Sequence, residues 1–213
     1  MDPYPGGSRG RLSSTLRPII DPMETLQADR VLARSRQDPC ADLCTLATVD
    51  TAGQPQARML VLRDVEETLA VFVNATSPKW ETLHDDPVSV LVWLPTVKVQ
   101  YRLTCTTSSI PDQIVRSSWQ LRPDPPKRMD WYYTLHQPQS SEVKSRDDLI
   151  AHLGALDLSE PLDAPDTARG LFLHTETVDR LDLGMSDGVH DRRRFKKKSA
   201  NDSGGWIETV LTP

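Results

Sequence analysis

Arg58 and Arg63 bracket the apolar run Met59-Leu60-Val61-Leu62, Lys79 follows Ser77 at what reads as a helix start, and His190 stands two residues ahead of Arg192. These residue types suit one task in particular. A phosphomonoester carries about two negative charges, and taking it out of water requires several charge-assisted donors in compensation. Arginine offers a planar fork of N–H groups, lysine a compact ammonium, and a helix start adds free backbone N–H groups. On a regular strand His190 and Arg192 share a face. Arg58 and Arg63, five apart, point to opposite faces, so either they serve different groups or the strand bends between them. Taken singly, a surface arginine is a solvated charge in about four cases of five, because charged side chains are mostly exposed. On that plainer reading Lys79 is the first turn of an exposed helix, and Trp206 belongs to the core. Arg193, Arg194, Lys196, Lys197 and Lys198 then blunt an unpaired strand edge.

Other chemistries lack their residues. There is no GxxxxGK[ST] loop, and the crowded glycines Gly6, Gly7 and Gly10 have no strand ahead of them, so a bound nucleotide must be held by side chains. GxSxG, HExxH and EF-hand patterns are missing, and the five scattered histidines give no legible pairing of nucleophile and base. Cys40, Cys44 and Cys105 have neither CxxC spacing nor a matching histidine pair, which argues against a disulfide framework and against a metal site.

The elements that must position these residues follow from pattern and punctuation. The chain of 213 residues, 38% hydrophobic and 26% charged, is long enough for one core. Residues 1–20 read as a flexible arm and residues 21–213 as a single domain. Asp21-Pro22-Met23-Glu24 opens a helix that runs to about Arg36 and stops before Asp38-Pro39. Two strands, residues 43–49 and 56–62, flank the turn Asp50-Thr51-Ala52-Gly53 as a hairpin. Residues 69–74, 88–94 and 97–107 read as further strands, with a short helix from Ser77 to Leu83. Helical segments follow between Asp112 and Leu156, cut at Arg122-Pro123-Asp124-Pro125-Pro126. Strand pattern returns at residues 170–183, 189–196 and 206–211. The links between strands are too short for repeated parallel crossovers, so the fold class is α+β, a mostly antiparallel barrel with peripheral helices. No apolar run approaches the length of a membrane span, and the N-terminus lacks a secretory apolar segment, so a cytoplasmic protein is expected. A net charge of −5 argues against whole-protein steering toward nucleic acid, although residues 192–198 are locally basic and keep that alternative open.

A series of short motifs then falls into a recognisable order. It begins with Leu46-Ala47-Thr48-Val49-Asp50, Gly53-Gln54-Pro55 and Arg58-Met59-Leu60-Val61-Leu62-Arg63. Val71-Phe72-Val73-Asn74-Ala75-Thr76-Ser77-Pro78-Lys79 follows, then Pro87-Val88-Ser89-Val90 and Gln100. It closes on His190-Asp191-Arg192 and Trp206 with Leu211-Thr212-Pro213. From about residue 40 to the end the chain resembles the pyridoxamine 5'-phosphate oxidase family, and the stretch Val178-Asp179-Arg180-Leu181-Asp182-Leu183 looks like a divergent, FMN-binding branch of it. The resemblance implies an FMN-binding split barrel, a homodimer, and FMN held between subunits. It implies Arg58, Lys79 and Ser77 at the phosphate or ribityl chain, main chain of Met59, Leu60, Val61 and Leu62 along the isoalloxazine, and Arg63 at the ring edge. Val73, Asn74, Gln100, Gln139, Ser140 and Arg192 match further flavin contacts. Arg122 and His190 match substrate-side positions, which makes His190 and Arg63 the candidate catalytic residues. The family reaction would oxidise pyridoxamine or pyridoxine phosphate, a small-molecule substrate, with hydride passing to flavin. The chain departs from the pattern at Ser118, where the family has a tyrosine on the substrate phosphate, and at Gly188, where it has an arginine. Pro78 and Val73 replace a basic and an aromatic residue. A non-catalytic flavin-binding protein or flavin reductase on the same fold is the alternative, and deazaflavin or haem are alternative ligands.

Overall fold

The computed structural model describes residues 21–83, 87–199 and 204–213; the expected arm at residues 1–20 lies outside them. Helix α1 spans Pro22–Ser35. The Asp21 carboxylate caps it by accepting from the Met23 amide at 2.7 Å, proline stands at its first position, and Arg34 lies in its last turn. Strands β1 (Leu43–Val49) and β2 (Pro55–Val61) form the hairpin expected around Asp50. The Asp50 carboxylate accepts from the amides of Ala52 and Gln54, and Gly53 supplies the left-handed residue at φ 79°.

After Leu62 the chain enters a strand that the pattern did not suggest, β3 (Arg63–Val65), and turns back through Glu66 and Glu67 into β4 (Thr68–Asn74). A 3₁₀ turn covers Pro78–Leu83, where a short helix was expected. Strands β5 (Val88–Leu94) and β6 (Val99–Ser109) lead to helices α2 (Asp112–Gln120), α3 (Asp124–Leu135) and α4 (Arg146–Gly154). Strands β7 (Ala168–Asp182), β8 (Asp191–Lys197) and β9 (Trp206–Leu211) complete the order.

Every strand pairing is antiparallel, in the order β2-β1-β5-β6-β7-β4-β3, with β8 and β9 continuing from β7. The first and last strands of that path are separated in the chain by the single residue Leu62. The sheet must therefore curl until its two ends meet, which is the split-barrel architecture expected. Strand β7 makes this possible. It pairs with β6 along its length on one edge, and on the other edge with β4 through residues 168–173 and with β8 through residues 177–182. Since β9 pairs β8, the basic residues of β8 do not lie on an unpaired edge as their composition suggested. Arg193 bonds Asp191 and Glu208, and Arg194 reaches Asp179.

Alternation decides the two faces. Cys44, Leu46, Val90, Val92, Tyr101, Leu103 and Val178 fill the interior, with Leu26 and Ala33 of α1 packed onto the same cluster. Trp206 joins this core, as expected. A second cluster, Ala70, Ile110, Val115, Trp119 and Leu162, seats α2 against the sheet. Gly170 packs closely there: a Cβ would stand 2.9 Å from Ile110 Cδ1 and 3.0 Å from the Phe72 ring, so those side chains would have to shift.

Candidate functional site

Arg58 lies on β2 opposite the fully buried Leu46, so its side chain takes the inward face of the barrel wall. Its Nη1 donates to Thr48 Oγ1 at 2.7 Å. From the 3₁₀ turn, Lys79 Nζ donates to Ser77 Oγ at 2.7 Å and to Gln139 Oε1 at 3.4 Å. Burial, and secondarily the positive charge of Arg58, pull the Lys79 pKa below its ordinary value; burial alone lowers that of Arg58. Among the described residues neither cation has a carboxylate within ion-pair distance. Two half-buried cations held near each other, with hydroxyl and amide groups around them and no acid, are electrostatically unfavourable unless an anion joins them.

The loop beneath is fixed by its own hydrogen bonds. Asn74 Oδ1 accepts from the Thr76 amide and hydroxyl at 3.0 and 2.8 Å, and Asn74 Nδ2 donates to Thr167 Oγ1 at 3.1 Å. Thr76 Oγ1 accepts from the Gln139 amide at 3.1 Å, which brings the segment between α3 and α4 onto the site. Ser140 follows with φ 74° and is exposed. The structure thus gathers Arg58, Ser77, Lys79 and Gln139, with Asn74 and Ser140 adjacent. Val73, half-buried on β4, precedes this loop and pairs with Arg169. Thr48 and Thr76 escaped sequence reasoning, yet Thr48 falls in the inward set of β1 with Cys44 and Leu46 and was findable from alternation.

On the outward face Met59 and Val61 are 57% and 45% exposed. Beside them an open groove of about 430 Å³ is lined by Leu43, Thr45, Met59, Leu91, Trp93 and Gln100, among others. Register places Trp93, Gln100, Leu181 and Arg192 in one row across β5, β6, β7 and β8, so Gln100 and Arg192 share this face. Arg192 is already engaged. Its Nε and Nη2 donate to the two oxygens of the buried Asp179 at 3.1 and 3.0 Å, and Arg102 and Arg194 reach the same carboxylate. Burial raises the Asp179 pKa, but the hydrogen bonds from Arg192 and Arg102 outweigh it and hold the carboxyl below its usual range.

Of the two alternatives left by the spacing of Arg58 and Arg63, the bend is observed, and it occurs at Leu62. This buried residue donates its amide to the carbonyl of Asp42 at 2.9 Å, after which Arg63 pairs with Ala70 and its side chain is exposed. Arg30, fully buried on α1, holds the other side of the bend. It donates to the carbonyls of Leu62 (3.1 Å) and Ala41 (3.2 Å) and to Asp64 Oδ1 (2.6 Å). Sequence reasoning passed over Arg30 because an arginine on an amphipathic helix reads as solvated. The substrate-side candidates sit on different connections, Arg122 between α2 and α3 and His190 before β8. Arg122 is paired with the buried Asp130, which also accepts from Trp119 Nε1 at 2.8 Å. His190 is exposed on the loop before β8 rather than in the strand, two residues after Gly188 at φ 77°. Among the described residues no cluster of His, Cys, Asp or Glu suits a metal ion, and no helix is long and apolar enough to cross a membrane.

Residues 38–151 match the family model described as pyridoxamine 5'-phosphate oxidase. The pyridoxine/pyridoxamine 5'-phosphate oxidase of Chromohalobacter salexigens is 30% identical over 90% of this chain and 88% of its own. That of Haemophilus influenzae is 28% identical over 79% and 78%. Among solved structures, PhzG from Burkholderia lata, in complex with tetrahydrophenazine-1-carboxylic acid, superposes with a TM-score of 0.76 at 22% identity, over 92% of this chain and 94% of that one. A pyridoxamine 5'-phosphate oxidase-related, FMN-binding protein from Nostoc punctiforme gives 0.72 at 19% identity, over 91% and 99%. At these identities the two structures establish the fold.

Proposed function

Since the chain belongs to the pyridoxamine 5'-phosphate oxidase family, we propose that it binds FMN between two copies of itself and uses it in the oxidoreduction of a small molecule. The observation that carries this reading is the uncompensated pair Arg58 and Lys79. Its donor set fits a phosphomonoester: two cations, the hydroxyls of Ser77 and Thr48, and the side-chain NH2 of Gln139. Bound there, FMN would supply a ring able to accept hydride.

The chain's own residues do the positioning. Arg58 and Lys79 hold the phosphate and Ser77 orients the lysine. Residues 59–62 continue β2 beside the outward face, where Met59, Leu91 and Trp93 offer an apolar wall that would exclude water once covered. Gln100 and the Asp179-braced Arg192 present donors on the same face. A second copy would cover Met59, Val61 and Trp93, which otherwise stand exposed to water. His190 and Arg63, exposed and unpaired among the described residues, are the groups free to meet a substrate. Pyridoxamine or pyridoxine phosphate is the substrate that the relatives' names suggest. Asp130 neutralises Arg122, so a substrate phosphate on that side would find little free positive charge.

The test is a visible absorption spectrum of the purified protein before and after incubation with FMN, with sedimentation to give the assembly state. A flavin spectrum on a dimer is expected. Colourless protein that takes up no FMN would remove the proposal. Anaerobic addition of pyridoxamine phosphate and of nicotinamide nucleotides then separates oxidase, reductase and carrier by which of them bleaches the flavin.

A further inference from the structure

We propose that Arg30 is a positioning residue for the flavin site, an inference that rests on the FMN reading above. Residues 59–62 can line a ring only if the chain leaves β2 in a fixed direction, and it does so by abandoning the edge of β1 at Leu62 and joining β4 from Arg63 onward. A strand that changes partners leaves backbone polar groups outside both ladders, and such groups must be satisfied where water is excluded. The amide of Leu62 finds the carbonyl of Asp42. The carbonyls of Leu62 and Ala41 find the guanidinium of Arg30, whose remaining nitrogen reaches Asp64 just beyond the switch. One side chain with no exposed surface thus bonds the chain before β1, the switch itself and the start of β3.

Only a planar fork reaches these acceptors at once. A lysine supplies the charge at a single point, and methionine fills the volume with no donor. Asp42 and Asp64, with Arg34 beside them, are the other charged groups facing Arg30. They lie toward solvent, so Arg30 is the inner member of the network. Its role is conveyed through main chain, which sets it apart from Arg58 and Lys79, whose side chains would meet the phosphate directly.

The experiment titrates the full chain and its Arg30→Lys and Arg30→Met variants with FMN and with riboflavin, following flavin fluorescence, visible circular dichroism of the bound flavin, and amide exchange of residues 58–65 without ligand. Exchange there is expected to accelerate in both variants. Affinity for FMN and riboflavin should fall by the same factor, about tenfold or more for Arg30→Met, because the lost bonds are charge-assisted but none touches the phosphate. The visible dichroism should change as well. If Arg30→Met fails to fold, Arg30→Lys and Asp64→Asn carry the same measurements. Folded variants with wild-type exchange, affinities and dichroism would overturn the inference, as would a loss confined to FMN. Wild-type protein that binds neither flavin, with exchange still accelerated in the variants, would instead sink the FMN reading and leave Arg30 as the clamp of the strand switch.

Discussion

Replacing Lys79 by methionine keeps most of the side-chain volume and removes one of the two cations assigned to the phosphate. A hydrogen bond to a charged group contributes roughly 1.5–3 kcal/mol, so FMN affinity should fall about 10- to 150-fold. The unliganded protein should respond in the opposite direction. Lys79 is desolvated and repelled by Arg58 with no compensating carboxylate among the described residues, so its removal leaves stability unchanged or raises it. The proton balance adds a second signature. Because the folded pKa lies below the ordinary 10.5, the unfolded chain keeps a proton that the native state releases between the two values. Unliganded stability therefore rises with pH through that window, and the rise should vanish in Lys79→Met. Fluorescence titration with FMN and riboflavin, together with melting curves between neutral and alkaline pH, reads all three effects. Riboflavin lacks the phosphate and should bind both proteins equally. Unchanged FMN affinity, a parallel loss for riboflavin, or a clear drop in unliganded stability would each refute the assignment.

Asp130→Ala would strand the Arg122 guanidinium and the Trp119 N–H, at a cost of about 3 kcal/mol or more; calorimetric melting checks it, and a near-neutral result would mean that water replaces the carboxylate. The tight turn joining β3 and β4 holds Glu66 and Glu67 at φ 48° and 63°, where asparagine and glycine are at ease. The double change Glu66→Asn, Glu67→Gly should thus raise stability by about 1–2 kcal/mol in denaturant titration, and a loss would show that the glutamates serve contacts outweighing strain. Asp179, its pKa held below the ordinary 3.8 by Arg192 and Arg102 despite burial, contributes stability that is full above that value and is lost as pH falls through the folded pKa. Acid melting curves should therefore flatten in Asp179→Asn relative to wild type, and parallel curves would contradict the pairing.

Much of the fold was legible because short-range rules govern it. Asp21 with Pro22 marked the first helix, Asp50 with Gly53 the hairpin, and alternation most of the remaining strands. Strand β3 was not, since Arg63-Asp64-Val65 is too short and too charged to show a period, and its turn uses residues that rarely enter left-handed backbone. The cations of the site were visible as residue types, and Ser77 with Lys79 sat close enough in the chain to read together. Which cations lack a partner was not visible. Arg192 is balanced by Asp179 thirteen residues away and Arg122 by Asp130 eight away, whereas Arg58 has no carboxylate partner among the described residues, and only tertiary structure distinguishes these three. Arg30 was hidden for the same reason, its surroundings being assembled from residues 41, 62 and 64.

Strand β7 also sets a timetable. Its pairing with β4 joins residues near 70 to residues near 170, and the loop under the candidate site is pinned by Ala75 and Asn74 to Thr167. During synthesis the segment that holds Ser77 and Lys79 must wait for about a hundred further residues before it has a frame. Closure over such a separation is entropically slow, and it leaves the inner edges of β4 and β6 open meanwhile. A nascent chain released before β7 emerges would present two unsatisfied strand edges and no frame for the candidate site, so the last third of the polypeptide decides whether the strands made before it close into a barrel or aggregate.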